Sequence, residues 1–213
     1  DRYNTIVIPS GSSLSETNMN TLSNWVKNGG TLVAHNRSAR SIASDNGIGN
    51  VKLIQHTFDN SRDFNIDLQR EIYSLSDEID YEKTHSNKVD TDISYPWELI
   101  ENTLSKEDLE SRDKWQSLFM PSGSFVSART DQKHWLTFGS TKLLPVLYGD
   151  SPVLMTARNS QATVRVGEIF DSIDNIDVNK INWSTIPSGK DINVRMSGLV
   201  WPEAAQRIAN SAY

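Results

Sequence analysis

Four histidines, no cysteine and several short runs of carboxylates bound the chemistry open to these 213 residues. Without cysteine there is no thiol nucleophile, thiolate metal site or disulfide scaffold. A catalytic zinc takes three protein ligands and leaves one position for water. His56-x-x-Asp59, with His134 downstream, is the nearest approach to such a set. Its Asp is shorter than the usual Glu and it sits at a strand end, so surface or hydrogen-bonded histidines are the simpler reading. Asp131-x-x-His134 has the composition of a catalytic dyad or half a metal site. Thr130, Gln132 and Trp135 around it instead suit a turn in which Asp131 caps the following backbone. Asp171-x-x-Asp174-x-x-Asp177 lacks the alternate acids and central glycine of a calcium loop and reads as an exposed loop. One constellation remains: Ser10, Gly11 and Ser12 after one strand candidate, and His35, Asn36 and Arg37 after the next. Open α/β sheets bind ligands beyond the carboxyl ends of their strands, where these six residues should converge. Gly11 permits close backbone approach, and Arg37 suits a carboxylate or phosphate. Short polar residues after strands are equally what any loop uses.

The elements that position this crevice are legible. Tyr3 to Pro9 is a short apolar, β-branched run, and Ser13-x-x-Glu16 has the pattern of a capping box. Met19, Leu22, Trp25 and Val26 give the next helix a buried stripe, and Asn28-Gly29-Gly30 stops it. Thr31 to His35 is a second strand, followed by a helix-compatible run from Arg37 to Ser44. A strand–helix–strand unit with an unalternating first strand favours parallel pairing, covered on both faces. Further strands are expected at Val51–Ile54, Phe125–Arg129, Leu143–Tyr148, Val153–Ala157 and Ala162–Ile169, with a terminal helix from Pro202 to Ala212. The expected architecture is a doubly wound, mostly parallel sheet.

Between the two groups of strands the composition changes. Residues 59–113 hold 16 of the 27 acids and 6 of the 21 bases. This stretch reads as an acidic helical insertion, about 59–119, that is solvated or serves as a docking surface for a basic partner. Phe64, Leu68, Ile72, Leu75 and Ile79 recur at helical spacing behind Ser61, leaving Asp67, Glu71, Asp77, Glu78 and Asp80 in water. His85 to Asp92 reads as a loop, and Pro96 can open a short helix carrying Trp97, Ile100 and Leu104. Ser105-x-x-Asp108 starts another helix, with Leu109, Trp115, Leu118 and Phe119 as apolar contacts. The net charge of -6 argues against a nucleic-acid or anionic-membrane surface, and no stretch approaches the ~18 apolar residues of a spanning helix. Six tryptophans raise carbohydrate or peptide stacking. Trp25, Trp115, Trp135 and Trp201 nevertheless sit at packing-compatible positions, whereas Trp97 and Trp183 are undecided.

Two blocks resemble a known family. The strand ending Ile8-Pro9-Ser10-Gly11, with Trp25-Val26-Lys27-Asn28-Gly29-Gly30-Thr31-Leu32-Val33-Ala34, resembles the opening of a flavodoxin-like, class I glutamine-amidotransferase-like domain. More narrowly, it looks like the C-terminal domain of secreted bacterial zinc-carboxypeptidase-related proteins. Gly123-Ser124-Phe125, Arg129, Asp131, His134-Trp135-Leu136, Phe138-Gly139 and Leu144-Pro145-Val146 form the second block, and Ser197-Gly198 a weaker third. The resemblance implies that residues 1–213 are a single domain fragment of a longer polypeptide, with a peptidase domain upstream and a further strand after the terminal helix. It implies zinc in that peptidase domain and no cofactor in this chain. It also implies export to the periplasm or beyond in a Gram-negative-type bacterium, and as partners the upstream peptidase domain, a peptide or a cell-envelope component.

Amidotransferase-type folds keep a nucleophile on a sharp strand-to-helix elbow. The resemblance puts Asn36 or a neighbour at that place, within Ala34-His35-Asn36-Arg37-Ser38, where the Gly-x-Cys/Ser-x-Gly pattern is missing. Asn is not a nucleophile. The expectation is therefore a non-catalytic accessory domain. The alternatives are a hydrolase using Ser38 with His35, or a small-molecule or peptide-binding module at the crevice.

Overall fold

The computed structural model describes residues 2–44, 47–75, 104–158, 160–171 and 190–213. The expectations for Asp77, Glu78, Ile79, Asp80, the 85–92 loop, the Pro96 helix with Trp97 and Ile100, Asp174, Asp177 and Trp183 lie outside these residues.

The N-terminal unit follows the sequence closely. Strand β1 (Thr5–Ile8) leads through α1 (Glu16–Lys27) to β2 (Thr31–Ala34), which pairs with β1 in parallel, Thr5 opposite Thr31 and Ile8 opposite Ala34. Ser15, rather than Ser13, caps α1: its hydroxyl accepts from the Asn18 N–H at 3.3 Å. Gly29, at φ 95°, ends the helix where a side chain would be strained. Alternation sends Ile6, Ile8, Leu32 and Ala34 to one side, where Met19, Leu22 and Val26 of α1 pack with Leu14, Ile42 and Ile48. The other side, Thr5, Val7, Thr31 and Val33, is exposed. Helix α2 (Arg37–Ile42) follows β2.

Beyond this unit the architecture departs from expectation. The chain is mixed α/β with several small sheets. Among the described residues β1–β2 is the one parallel pair of named strands, so the doubly wound, mostly parallel sheet is not what forms. β4 (Ser124–Thr130) and β5 (Leu143–Tyr148) pair antiparallel in full register, Ser124 opposite Tyr148 and Arg129 opposite Leu143. The physical reason lies in the connection. Residues 131–142 fold as a hairpin loop tied by the Asp131 and Thr137 bonds and hold one short 3-10 turn, Trp135–Thr137, whereas a parallel return in the same sheet needs a crossover, usually a helix, that runs back the length of the strand. On the opposite edge of β4 lie β10 (Arg195–Ser197) and β7 (Val164–Val166), both antiparallel to it. β3 (Val51–Leu53) pairs with β6 (Leu154–Thr156), and β8 (Glu168–Asp171) with β9 (Lys190–Asn193). Ala212 bridges Leu154 and Arg165 and so ties the chain end into the sheet.

The acidic segment contributes to the core. Helix α3 (Ser61–Leu75) begins at Ser61, which is its first residue and not a cap, and buries Phe64, Leu68 and Ile72 against Val126, Met155, Val166 and Ile208. Helix α4 (Lys106–Gln116) starts with the expected capping box: the Asp108 N–H donates to Ser105 Oγ at 3.2 Å, and the Ser105 N–H to Asp108 Oδ2 at 3.3 Å. Ser105→Ala should cost about 1 kcal/mol of stability, read as a lower urea midpoint at unchanged slope. Leu109 is buried, but Trp115 and Leu118 are exposed, as are Trp135 and Trp201, so three tryptophans expected in the core lie on the surface. Trp115 and Trp201 flank Phe119, at ring-centroid distances of 5.1 and 6.2 Å. Helix α5 (Pro202–Ile208) closes the fold, its Arg207 paired with Asp113 of α4 at 2.7 Å. No helix among the described residues is long and apolar enough to cross a membrane.

Tyr148 is the largest fully buried side chain among the described residues, and burial raises its phenol pKa well above the ordinary value. Protonated phenol is therefore favoured in the native state. Once pH passes the unfolded-state value of about 10, the unfolded chain loses a proton that the native chain keeps, and stability falls. Tyr148→Phe should move the alkaline unfolding midpoint upward. Its hydroxyl contact, 3.5 Å to the Pro152 carbonyl, is too long to matter much at neutral pH.

Candidate functional site

Because β1 and β2 run parallel and adjacent, the loops that follow them emerge at the same end. The first, Pro9–Ser12, turns at Gly11, whose φ is 88°. A Cβ there would meet open space, so the positive φ, and no neighbouring atom of the chain, is what calls for glycine. The second is abrupt: β2 ends at Ala34, His35 follows, and Asn36 reverses the chain into α2 with φ 55° and ψ -124°. This is the conformation of the first central residue in a type II′ turn, where glycine dominates. A sharp strand-to-helix turn of this kind is how a nucleophile elbow holds its side chain clear of the backbone.

The elbow thus carries an amide. Asn36 is exposed, makes no side-chain cap to α2, and is flanked by exposed His35 and Arg37. Ser10 and Gly11 are exposed and Ser12 half-buried on the neighbouring loop. Ser38, the alternative nucleophile, points the other way. It is buried, and its hydroxyl donates to the Pro9 carbonyl at 2.5 Å. That bond pins the start of α2 to the β1 loop and commits the proton that an attacking oxygen would have to surrender. A Ser38–His35 pair would require the serine to give up that bond, so the geometry does not assemble the hydrolase alternative.

The other motifs resolve into structure. Asp131 Oδ1 accepts from the Lys133 N–H at 2.9 Å and Oδ2 from Gln161 Nε2 at 2.6 Å, which makes it the expected turn cap. His134 Nδ1 accepts from the Leu136 N–H at 3.2 Å. His56 lies beside Gln55 in a short 3-10 turn. Sequence reasoning missed two features. One is a buried ion pair between Glu71 and Arg165. The other is the exposed aromatic loop at Trp135, Leu136 and Phe138. The available signal for the loop was three large apolar residues in a turn, with neither strand nor helix periodicity to bury them.

Comparison of the chain with protein-family models, with curated proteins and with solved structures finds no match.

Proposed function

We propose that this chain is a non-catalytic interaction domain. On the resemblance of its two sequence blocks, it is further proposed to be the amidotransferase-like accessory domain of a secreted zinc-carboxypeptidase-related protein. One observation carries the first statement: the strained elbow after β2 presents the amide of Asn36, and the neighbouring Ser38 hydroxyl is buried and spent on Pro9. The exposed second face of β1–β2 supports an interaction role, because parallel strands are ordinarily covered on both faces. The parallel first strand–helix–strand unit and its elbow support the amidotransferase-like reading, and the antiparallel remainder does not. The test uses the 213-residue chain: metal content by atomic emission, and hydrolysis of peptides with free C-termini. The expected result is no turnover. Stoichiometric zinc with carboxypeptidase activity would overturn the reading.

A second reading, a ligand crevice at Ser10, Gly11, Ser12, His35, Asn36 and Arg37, is favoured by the convergence of both loops at one end with Arg37 exposed. It expects peptides ending in a carboxylate to raise the melting temperature, and Arg37→Ala to abolish that rise. Equal shifts in both proteins would dismiss it.

A further inference from the structure

The hairpin loop between β4 and β5 carries three large apolar side chains mostly in solvent: Phe138 is 94% exposed, Trp135 74% and Leu136 61%. Polar bonds inside the loop hold them there. The buried Thr137 hydroxyl donates to the Asp131 carbonyl and lies 2.9 Å from the His134 carbonyl. Ser140 Oγ donates to the Thr137 carbonyl at 2.6 Å, Thr130 Oγ1 to the Thr141 carbonyl at 2.8 Å, and the Asp131 N–H to the Thr163 carbonyl at 2.9 Å. His134 stacks on Trp135 with ring centroids 5.7 Å apart. The tip is thus a preformed knob.

Its charge is the opposite of the chain's. From residue 131 to 149 the only carboxylate is Asp131, which is buried and bonded to Lys133 N–H and Gln161. Lys133 and Lys142 flank the apolar tip and are exposed, and residues 160–167, which pack beside the loop, contain no acid. An apolar protrusion flanked by two lysines matches the bilayer interface. There Trp and Phe are enriched at headgroup depth, and anionic headgroups attract basic side chains.

We propose that Trp135, Leu136 and Phe138, with Lys133 and Lys142, form a docking knob that seats the domain on a membrane surface bearing anionic headgroups. The chain as a whole, at net charge -6, is repelled by such a surface. Attachment is therefore local, peripheral and salt-sensitive, with the tip entering the headgroup layer while the sheet stays in water. One loop and two lysines give reversible binding, well short of permanent insertion.

The experiment is co-sedimentation of the full chain with vesicles of phosphatidylcholine alone and of equimolar phosphatidylcholine and phosphatidylglycerol, at low and physiological salt. Binding should favour the anionic vesicles and weaken with salt. Trp135→Ala with Phe138→Ser should reduce it about tenfold, since two large apolar groups no longer enter the interface. Lys133→Glu with Lys142→Glu should reduce it by at least about tenfold, through loss and reversal of two attractive charges. Trp115→Ala, an exposed tryptophan elsewhere, should change nothing. The substituted side chains are exposed, and an unchanged melting temperature verifies the fold of each variant. Brominated acyl chains, which quench tryptophan at close range, should quench the wild-type protein more than Trp135→Phe. Absence of wild-type binding at low salt would overturn the proposal. So would binding indifferent to both double variants, or concentration-dependent self-association lost in the same variants without vesicle binding.

Discussion

Glu71→Ala is expected to destabilise the fold by about 3–5 kcal/mol, the range found when one member of a buried ion pair is removed. Both carboxylate oxygens of Glu71 receive bonds from Arg165, through Nε at 2.5 Å and through the second terminal nitrogen. The side chains are only 14% and 3% exposed, so solvent screens them little. Arg165 also donates to the Asn210 carbonyl at 2.7 Å and to Thr156 Oγ1 at 2.9 Å. Close by, Arg129 donates to the Gly167 carbonyl and to Asn210 Oδ1, both at 2.9 Å. Burial, and then the charge of Arg165, push the Arg129 pKa down to about 9, with Glu71 pulling the other way. The buried Arg165 and the half-buried Arg129 therefore lie near one carboxylate, which Arg165 bonds directly. Removing it leaves the Arg165 cation unneutralised where water solvates it poorly, and takes an attractive charge from Arg129. Urea unfolding of wild type and Glu71→Ala measures the cost, and a loss below about 1 kcal/mol would show that water reaches the pair. Glu71→Gln should fall between the two, since an amide oxygen can still accept one bond while the charge is lost.

That pair also marks where one-dimensional reading stops. The 3.6-residue spacing of Phe64, Leu68 and Ile72 located the core face of α3 correctly, because burying apolar surface is a periodic property of a helix. The same spacing sent Glu71 to water. Its partner lies 94 residues away in a strand of sequence Val-Arg-Val, and no local pattern can announce a pairing at that separation. The strand Leu143–Tyr148 was legible to the residue, yet its direction was not. Direction depends on whether residues 131–142 form a turn or a crossover, and the turn legible at Asp131 and His134 does not by itself say that the whole segment doubles back. Trp115, Trp135 and Trp201 were read as core because a large apolar side chain is costly to expose. That cost holds for a chain in water alone and drops out where another surface takes up the side chain. The parallel pairing of the first two strands was legible, and two adjacent parallel strands must deliver their loops to one end, whatever the rest of the sheet does.

Replacing Asn36 by glycine should raise stability by about 1–2 kcal/mol, and replacing it by valine should lower it by more than that. At φ 55° and ψ -124° a Cβ is strained, so Asn36 is held there by its surroundings: β2 on one side, and on the other α2, anchored by the Ser38–Pro9 bond. Glycine removes the strain at the modest expense of a more flexible unfolded chain, whereas a β-branched side chain raises it. Ser38→Ala separates the two causes. If the Pro9 bond maintains the turn, losing it costs about 0.5–1.5 kcal/mol, since the exposed Pro9 carbonyl still accepts from the Ser12 N–H at 3.4 Å, and it reduces the benefit of glycine at position 36, because a relaxed turn has less strain to release. A double-mutant cycle of Asn36→Gly and Ser38→Ala, followed by thermal and urea unfolding, reads that coupling directly. Strict additivity would mean that the elbow is set by β2 and the helix alone. The sign of the glycine substitution bears on function as well. An inert elbow can be relaxed without loss, so a stabilised Asn36→Gly that keeps every binding activity of the wild type supports the non-catalytic reading. A stabilised variant that loses the peptide-induced thermal shift would assign the Asn36 amide to the ligand crevice instead.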